Sequence, residues 1–134
     1  MSKAEQRAAA LAARRALPKE ERAACSAAIC ERLLTLPELA AARTVLSYRA
    51  LPEEADLEEL HKALCARGVR LCFPVCLPGG GMEAWEPGGW RVGRYGIWEP
   101  DRACSWHVLP QEIDLALCPC VAFDRERRRL GHGA

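Results

Sequence analysis

The residues that decide the fold are Thr44-Val45-Leu46-Ser47-Tyr48, the stretch Asp56-Leu57-Glu58-Glu59-Leu60-His61-Lys62-Ala63-Leu64, and Gly68-Val69-Arg70-Leu71-Cys72-Phe73-Pro74. The first run is rich in β-branched and aromatic residues and reads as a strand. Leu51-Pro52-Glu53-Glu54-Ala55 follows as a loop. Asp56 with Glu59 three residues later has the form of a capping box, and Leu57, Leu60 and Leu64 make the apolar stripe of a helix. Gly68 sits where a helix ends in a left-handed residue. Val69, Leu71 and Phe73 then alternate as a second strand, which Pro74 is expected to stop. Strand, helix and strand with short connections form a βαβ unit, whose two strands run parallel.

Working outward, Lys3 to Ala16 is rich in Ala, Leu and Arg and favours helix throughout. Pro18 is placed at the first position of a second helix, with Glu20 and Glu21 in its first turn. Cys25, Ile29, Leu33 and Leu36 give that helix a buried stripe, and Pro37 closes it. Beyond the βαβ unit, Leu77 to Trp106 reads as a long irregular excursion holding all four tryptophans, with a short strand around Met82 to Trp85. Ile113-Asp114-Leu115-Ala116-Leu117-Cys118 returns to the sheet. Neither an internal repeat nor a low-complexity linker divides the chain, so residues 1–134 read as one α/β domain.

Half of the 134 residues are hydrophobic, 28% are charged and the net charge is +1. This balance gives no bulk electrostatic reason to bind nucleic acid or a membrane surface. No apolar run reaches the ~18 residues that span a bilayer. The Ala- and Arg-rich N-terminus has the composition of a mitochondrial transit helix, but Lys3, Glu5 and Arg7 have a better use below, and a cytoplasmic location is expected. Eight cysteines fall short of a disulfide scaffold. Cys25, Cys30, Cys72 and Cys118 are read as small core residues. Neither Cys72-x-x-x-Cys76 nor Cys118-Pro119-Cys120 has the spacing of a zinc knuckle, so reduced thiols are expected.

Four separated segments carry chemistry. Lys3 and Arg7 share one helical face at i,i+4, where like charges repel mildly unless an anion joins them. Leu51-Pro52-Glu53-Glu54-Ala55-Asp56 is an acidic turn beyond the C-terminal end of the first strand, the end at which open α/β sheets bind ligands. Tyr95-Gly96-Ile97-Trp98-Glu99-Pro100 is a distinctive block. The strand pattern from Ile113 to Cys118 is followed by the arginines up to Arg129 and then by Leu130-Gly131-His132-Gly133, and strand, Arg and spaced glycines are the grammar of a phosphate-holding loop.

Taken in order, these segments resemble the 5-formyltetrahydrofolate cyclo-ligase (methenyltetrahydrofolate synthetase) family. Its pattern runs Lys-x-x-x-Arg, Tyr-x-x-Leu-Pro-x-Glu-x-Asp, Gly-Ile-x-Glu-Pro, Ile-Asp-Leu, Phe-Asp and Arg-Leu-Gly-x-Gly, and the match extends from Lys3 to Gly133. The resemblance implies a three-layer α/β/α fold with a mostly parallel sheet, Rossmann-like in the manner of NagB, RpiA and the CoA transferases. It implies ATP- and Mg²⁺-dependent conversion of 5-formyltetrahydrofolate to 5,10-methenyltetrahydrofolate, with ADP and phosphate released. Lys3, Arg7, Arg129, Leu130, Gly131, His132 and Gly133 would bind ATP, and Arg49 and Glu54 would bind the folate. His61 and His107 match nothing in the pattern and are read as surface or boundary residues.

Two departures from the pattern qualify the expectation. A glycine of the pattern is replaced by Arg127, which would be strained by ~1–2 kcal/mol if the turn requires positive φ. The pattern also continues beyond Ala134 with further glycines, a tyrosine pair, a metal-associated aspartate and a helix. The resemblance therefore implies a fold incomplete at its C-terminal side, an absent metal ligand, impaired turnover, and an uncovered sheet face that would favour self-association. The alternative reading is a non-catalytic folate-binding or partner-binding isoform. A nucleic-acid role for the arginines at 125 and 127–129 offers too few phosphate contacts for tight binding.

Overall fold

A computed structural model describes residues 1–132; Gly133, expected in the nucleotide loop, lies outside the described residues. The chain forms α1 (Lys3–Ala16), α2 (Lys19–Leu33), α3 (Pro37–Ala41), β1 (Thr44–Leu46), α4 (Glu58–Ala66), β2 (Arg70–Cys76), β3 (Met82–Glu86), β4 (Trp90–Val92), β5 (Trp98–Pro100), β6 (Trp106–Val108), β7 (Leu115–Ala116), β8 (Ala122–Phe123) and β9 (Arg129–Leu130). Five strands make one sheet in the order β6-β3-β2-β1-β7. β1 lies parallel to both β2 and β7, whereas β2–β3 and β3–β6 are antiparallel. The sheet is thus parallel around β1 and carries an antiparallel wing built from the tryptophan-rich excursion.

The βαβ reading holds, with α4 as its crossover. On one face of the sheet Val45, Leu71 and Phe73 pack against Leu57, Leu60 and Leu64, joined by Cys30 from α2 and Leu39 from α3. The opposite face is thinner and holds Cys72, Ala84 and Val108, flanked by Leu46 and Ile113. Alternation along β2 sends Leu71 and Phe73 one way and Cys72 the other, as a strand covered on both faces requires. Gly68 takes φ +80, with the Val69 N–H donating to the Leu64 carbonyl, and so closes α4 where the sequence placed its end.

Several local expectations are corrected. The inward stripe of α2 is turned by one residue: Cys30 is buried, while Cys25 and Ile29 are exposed. Asp56 fixes this rotation, since its N–H donates to Ser26 Oγ at 3.0 Å and its carbonyl accepts from Cys30 Sγ at 3.5 Å. Cys118 is exposed too, which leaves Cys30 and Cys72 as the buried thiols among the described residues. Pro37 opens α3 at its first position rather than only ending α2. The Asp56–Glu59 capping box does not form; instead the Asp56 carboxylate accepts from the Glu58 N–H at 3.0 Å. β2 runs through Pro74, which is tolerated because its ladder with β1 ends at Cys72.

Gly93 must lack a side chain, because a Cβ there would fall 2.3 Å from Glu99 Cδ. Glu99 itself is buried and accepts from the Cys76 N–H at 3.3 Å, so the Glu-Pro pair of the 95–100 block is a structural fastening between β5 and β2. No helix among the described residues is long and apolar enough to cross a membrane.

Candidate active site

The chain leaves the sheet after β1, and the turn that follows is locked by its own side chains. The Leu51 N–H donates to Glu54 Oε1 at 2.8 Å, and the Glu54 N–H donates back to the Leu51 carbonyl at 2.9 Å. The Tyr48 hydroxyl donates to the Ala55 carbonyl at 3.0 Å and pins the far side. Burial, reinforced by the negative charge of Glu54, pushes the Tyr48 phenol up to about 12, so it stays a donor at any physiological pH. Glu54 is thereby held as a preformed carboxylate with a side chain 6% exposed. Three clefts adjoin this turn, one of about 420 Å³ toward α2 and two on the Arg49 side. Of the latter, one of about 220 Å³ is lined by Arg49, Leu51, Pro52, Glu54 and Glu58, and one of about 320 Å³ by Arg49, Pro52, Gly96, Ile97 and Trp98. Trp98, 49% exposed, therefore shares a cleft with the turn.

Arg49 sits where three surfaces join. Its guanidinium lies 4.7 Å above the Trp90 ring and its Nε is 3.6 Å from Glu58 Oε1. It is about one-third exposed, which leaves donors free toward the clefts.

The second half of the site is the β8–β9 hairpin with α1 laid against it. Asp124 organises the hairpin turn: Oδ1 accepts from the Glu126 and Arg128 N–H groups at 2.9 Å each, and Oδ2 from Arg128 Nε at 2.6 Å. These bonds, the Arg128 N–H foremost, hold its carboxyl below the usual range. The turn closes with Arg127 at φ +68, the conformation that makes a glycine the usual occupant. α1 begins with a true capping box: Ser2 Oγ accepts from the Glu5 N–H and Glu5 Oε2 from the Ser2 N–H. That cap sets the helix register which aims Lys3 and Arg7 at the hairpin. Arg7 Nε donates to the Gly131 carbonyl at 2.8 Å across 124 residues of sequence, and Lys3 lines a cleft of about 530 Å³ with Gln6, Asp124, Arg129 and Leu130. His132 Nε2 then stands 3.5 Å from Glu54 Oε2 and joins the two halves.

Of the residues singled out in the sequence, Lys3, Arg129 and Leu130 share a cleft, Arg7 reaches Gly131 and His132 reaches Glu54, so that they follow one another along a single rim, and Arg49 lines the cleft beside Glu54. Two features went unread. The His132 side chain touches Glu54, which motif spacing could not signal. His61 is buried, at 7% exposure, not a surface residue. Its Nε2 lies 2.6 Å from Ser47 Oγ and its Nδ1 3.4 Å from Glu58 Oε1. A carboxylate only accepts, so Nδ1 carries the proton and the Ser47 hydroxyl donates to Nε2. Burial lowers the His61 pKa, making this a neutral bridge rather than an ion pair. The line has the composition of a nucleophilic triad, yet Ser47 is 1% exposed and no substrate reaches it.

Asp114, of the Ile-Asp-Leu segment, is likewise structural: Oδ2 accepts from the Arg43 and Thr44 N–H groups at 2.9 and 3.0 Å and ties β7 to the start of β1. Among the described residues no group of three or more His, Cys, Asp or Glu could hold a metal ion, so the residues present do not fit a protein-held Mg²⁺ and no step is assigned through one. The cationic lining of Lys3, Arg128 and Arg129, with Arg7 close by at Gly131, does fit a phosphate chain. The arginine run is partly neutralised, with Arg128 at 2.6 and 2.8 Å from Asp124 and Glu126, which weakens a nucleic-acid role further.

The sequence profile of the 5-formyltetrahydrofolate cyclo-ligase family matches residues 1–134. The chain is 31% identical over 126 residues to the 5-formyltetrahydrofolate cyclo-ligase of Escherichia coli K12, covering 90% of this chain and 69% of that protein. It is 30% identical over 115 residues to a Schizosaccharomyces pombe protein named as a probable 5-formyltetrahydrofolate cyclo-ligase, covering 81% of this chain and 56% of the relative. The chain therefore spans little more than half the length of that yeast relative. The solution structure of Aquifex aeolicus 5,10-methenyltetrahydrofolate synthetase superposes with a TM-score of 0.86 at 32% identity, over 100% of this chain and 69% of that one. The Mycoplasma pneumoniae 5,10-methenyltetrahydrofolate synthetase shares the fold, with a TM-score of 0.74 at 20% identity over 99% of this chain and 73% of that one. With its whole described length laid on that fold and its sequence matched from end to end, this chain belongs to the 5-formyltetrahydrofolate cyclo-ligase family.

Proposed function

We propose that the rim described above serves the ATP-dependent conversion of 5-formyltetrahydrofolate to 5,10-methenyltetrahydrofolate, with release of ADP and phosphate. The observation that carries this reading is the junction of Arg7 with Gly131 and of His132 with Glu54, which sets a cationic, glycine-bearing segment beside a preformed carboxylate. Amide oxygen is a poor leaving group, and phosphorylation of the formyl oxygen turns it into a good one. N10 then attacks the activated carbon and phosphate departs.

In this reading the protein positions and neutralises. Lys3, Arg7 and Arg129 neutralise the phosphates, each worth on the order of 4 kcal/mol at ~4 Å and an effective dielectric near 20 before desolvation. The backbone from Leu130 to His132 approaches the phosphate chain closely. Glu54 accepts from the N–H groups of the pterin in the cleft that it lines with Leu51 and Pro52, Arg49 contacts the substrate from the same cleft, and the rest of the folate extends toward Trp98. Any Mg²⁺ would supply charge neutralisation with the nucleotide.

Calorimetry with 5-formyltetrahydrofolate and with a non-hydrolysable ATP analogue tests the assignment. Glu54→Gln is expected to weaken folate binding about tenfold or more and leave nucleotide affinity within about twofold; Lys3→Ala should do the reverse. Folate binding by Glu54→Gln equal to that of the unaltered chain would overturn the reading. Folate binding without any nucleotide affinity would favour the non-catalytic alternative.

A further inference from the structure

α1 has no buried residue in its 14-residue length. Its half-buried face is Arg7, Ala10, Leu11 and Arg14, and its firm attachments are polar and at the two ends. At one end Arg7 donates to Gly131. At the other, Arg15 Nε donates to Glu53 Oε1 at 2.9 Å, and Arg14 Nη2 stands 3.9 Å from Glu53 Oε2, near enough for attraction but beyond a hydrogen bond. Arg14 Nε is buried and has no hydrogen-bond partner. A small inward movement of α1 would let Glu53 accept from both arginines, so the contact has a tighter state within reach. Glu53 belongs to the same locked turn as Glu54, but its side chain points away from the clefts and toward the helix.

We infer that Glu53 is a positioning residue through which α1, a rigid rod of about 10 Å between Arg7 and Arg14, couples the nucleotide end of the site to the folate-holding turn. This inference rests on the proposed function. Phosphates drawn to Lys3 and Arg7 order the helix at its N-terminal end. The helix, with no fully buried residue and only Ala10 and Leu11 half-buried between its polar ends, transmits that order to Glu53 and so to the turn that carries Glu54. By linkage, the folate then favours nucleotide binding by the same factor.

The test is the coupling factor itself. The Kd of 5-formyltetrahydrofolate is measured by calorimetry with and without a saturating non-hydrolysable ATP analogue. The unaltered chain is expected to show tightening of about fivefold, at the lower end of known couplings, as suits an exposed linkage. Glu53→Gln should reduce the factor below about twofold while each ligand alone binds as before, and Glu53→Asp should restore part of it. Arg15→Gln, which removes the hydrogen bond to Glu53 from the helix side, should reduce the factor likewise while each ligand alone binds as before. The inference is overturned if Glu53→Gln or Arg15→Gln retains the full factor, or if both ligands bind the unaltered chain without influencing one another. Failure of either ligand to bind the unaltered chain at all would remove the functional reading, and this inference with it.

Discussion

His61 shows how a single side chain answers to its surroundings more than to its identity. Packed against Phe73, with ring centroids 5.2 Å apart, it has its pKa lowered by burial and, to a lesser extent, by the nearby Arg49 charge, which together outweigh the opposing pull of Glu58. The sign of the pH effect follows from that. The unfolded chain takes up a proton near 6.5, whereas the folded chain does so only at lower pH. Between those values the unfolded state binds more protons, so the stability contributed by His61 is complete above about 6.5 and is lost as the pH falls. Denaturant midpoints measured from about pH 7.5 down to 5 should decline, and His61→Gln should flatten that decline. An unchanged slope in the variant would place the acid sensitivity elsewhere. The sequence offered no sign of this role, because His61 and its partner Ser47 lie on different elements and meet only once α4 docks on β1. Glu54, by contrast, was legible: its turn residues and its place after a strand are local signals.

At the scale of elements, the β8–β9 hairpin carries the clearest mismatch between residue and backbone. Arg127 holds φ +68 in a turn whose other bonds are all satisfied by Asp124. The strain of about 1–2 kcal/mol is partly offset by the flexibility a glycine would add to the unfolded chain, so Arg127→Gly should stabilise by roughly 0.5–1 kcal/mol. A shift in the denaturant midpoint checks this, and Arg127→Ala, which keeps a Cβ in the same conformation, should not reproduce it. The turn's need for positive φ was visible from the glycine of the family pattern. Other elements were less legible. In α2 the stripe Cys25, Ile29 and Leu33 satisfies helical periodicity as well as Arg22, Ser26 and Cys30 do, yet of the first set only Leu33 packs against the core. The choice between them is made by Asp56, some thirty residues away. The antiparallel wing was read as irregular because its strands are short and its glycines many. The βαβ centre was read well, since periodicity, helix termination by Gly68 and strand alternation all agreed.

For the whole molecule, the account depends on three distant segments acting at one rim: α1, the turn after β1, and the hairpin that leads to Gly131. The fold delivers this by placing the end of β1 beside β7 and by letting α1, with no buried residue, lie where polar contacts hold it. The sequence carried the ingredients and their order but not their contacts, because Arg7–Gly131 and His132–Glu54 are long-range pairings of residues that are ordinary in isolation. The most direct test is amide hydrogen exchange with each ligand added separately. Addition of a non-hydrolysable ATP analogue should protect residues 3–8 and 128–132, and 5-formyltetrahydrofolate should protect residues 49–56 and 96–98. Protection by either ligand confined to residues 61–65 and 86–90, which line a separate cleft of about 620 Å³ on the far side of Arg49 and Glu58 from Glu54, would contradict a shared rim.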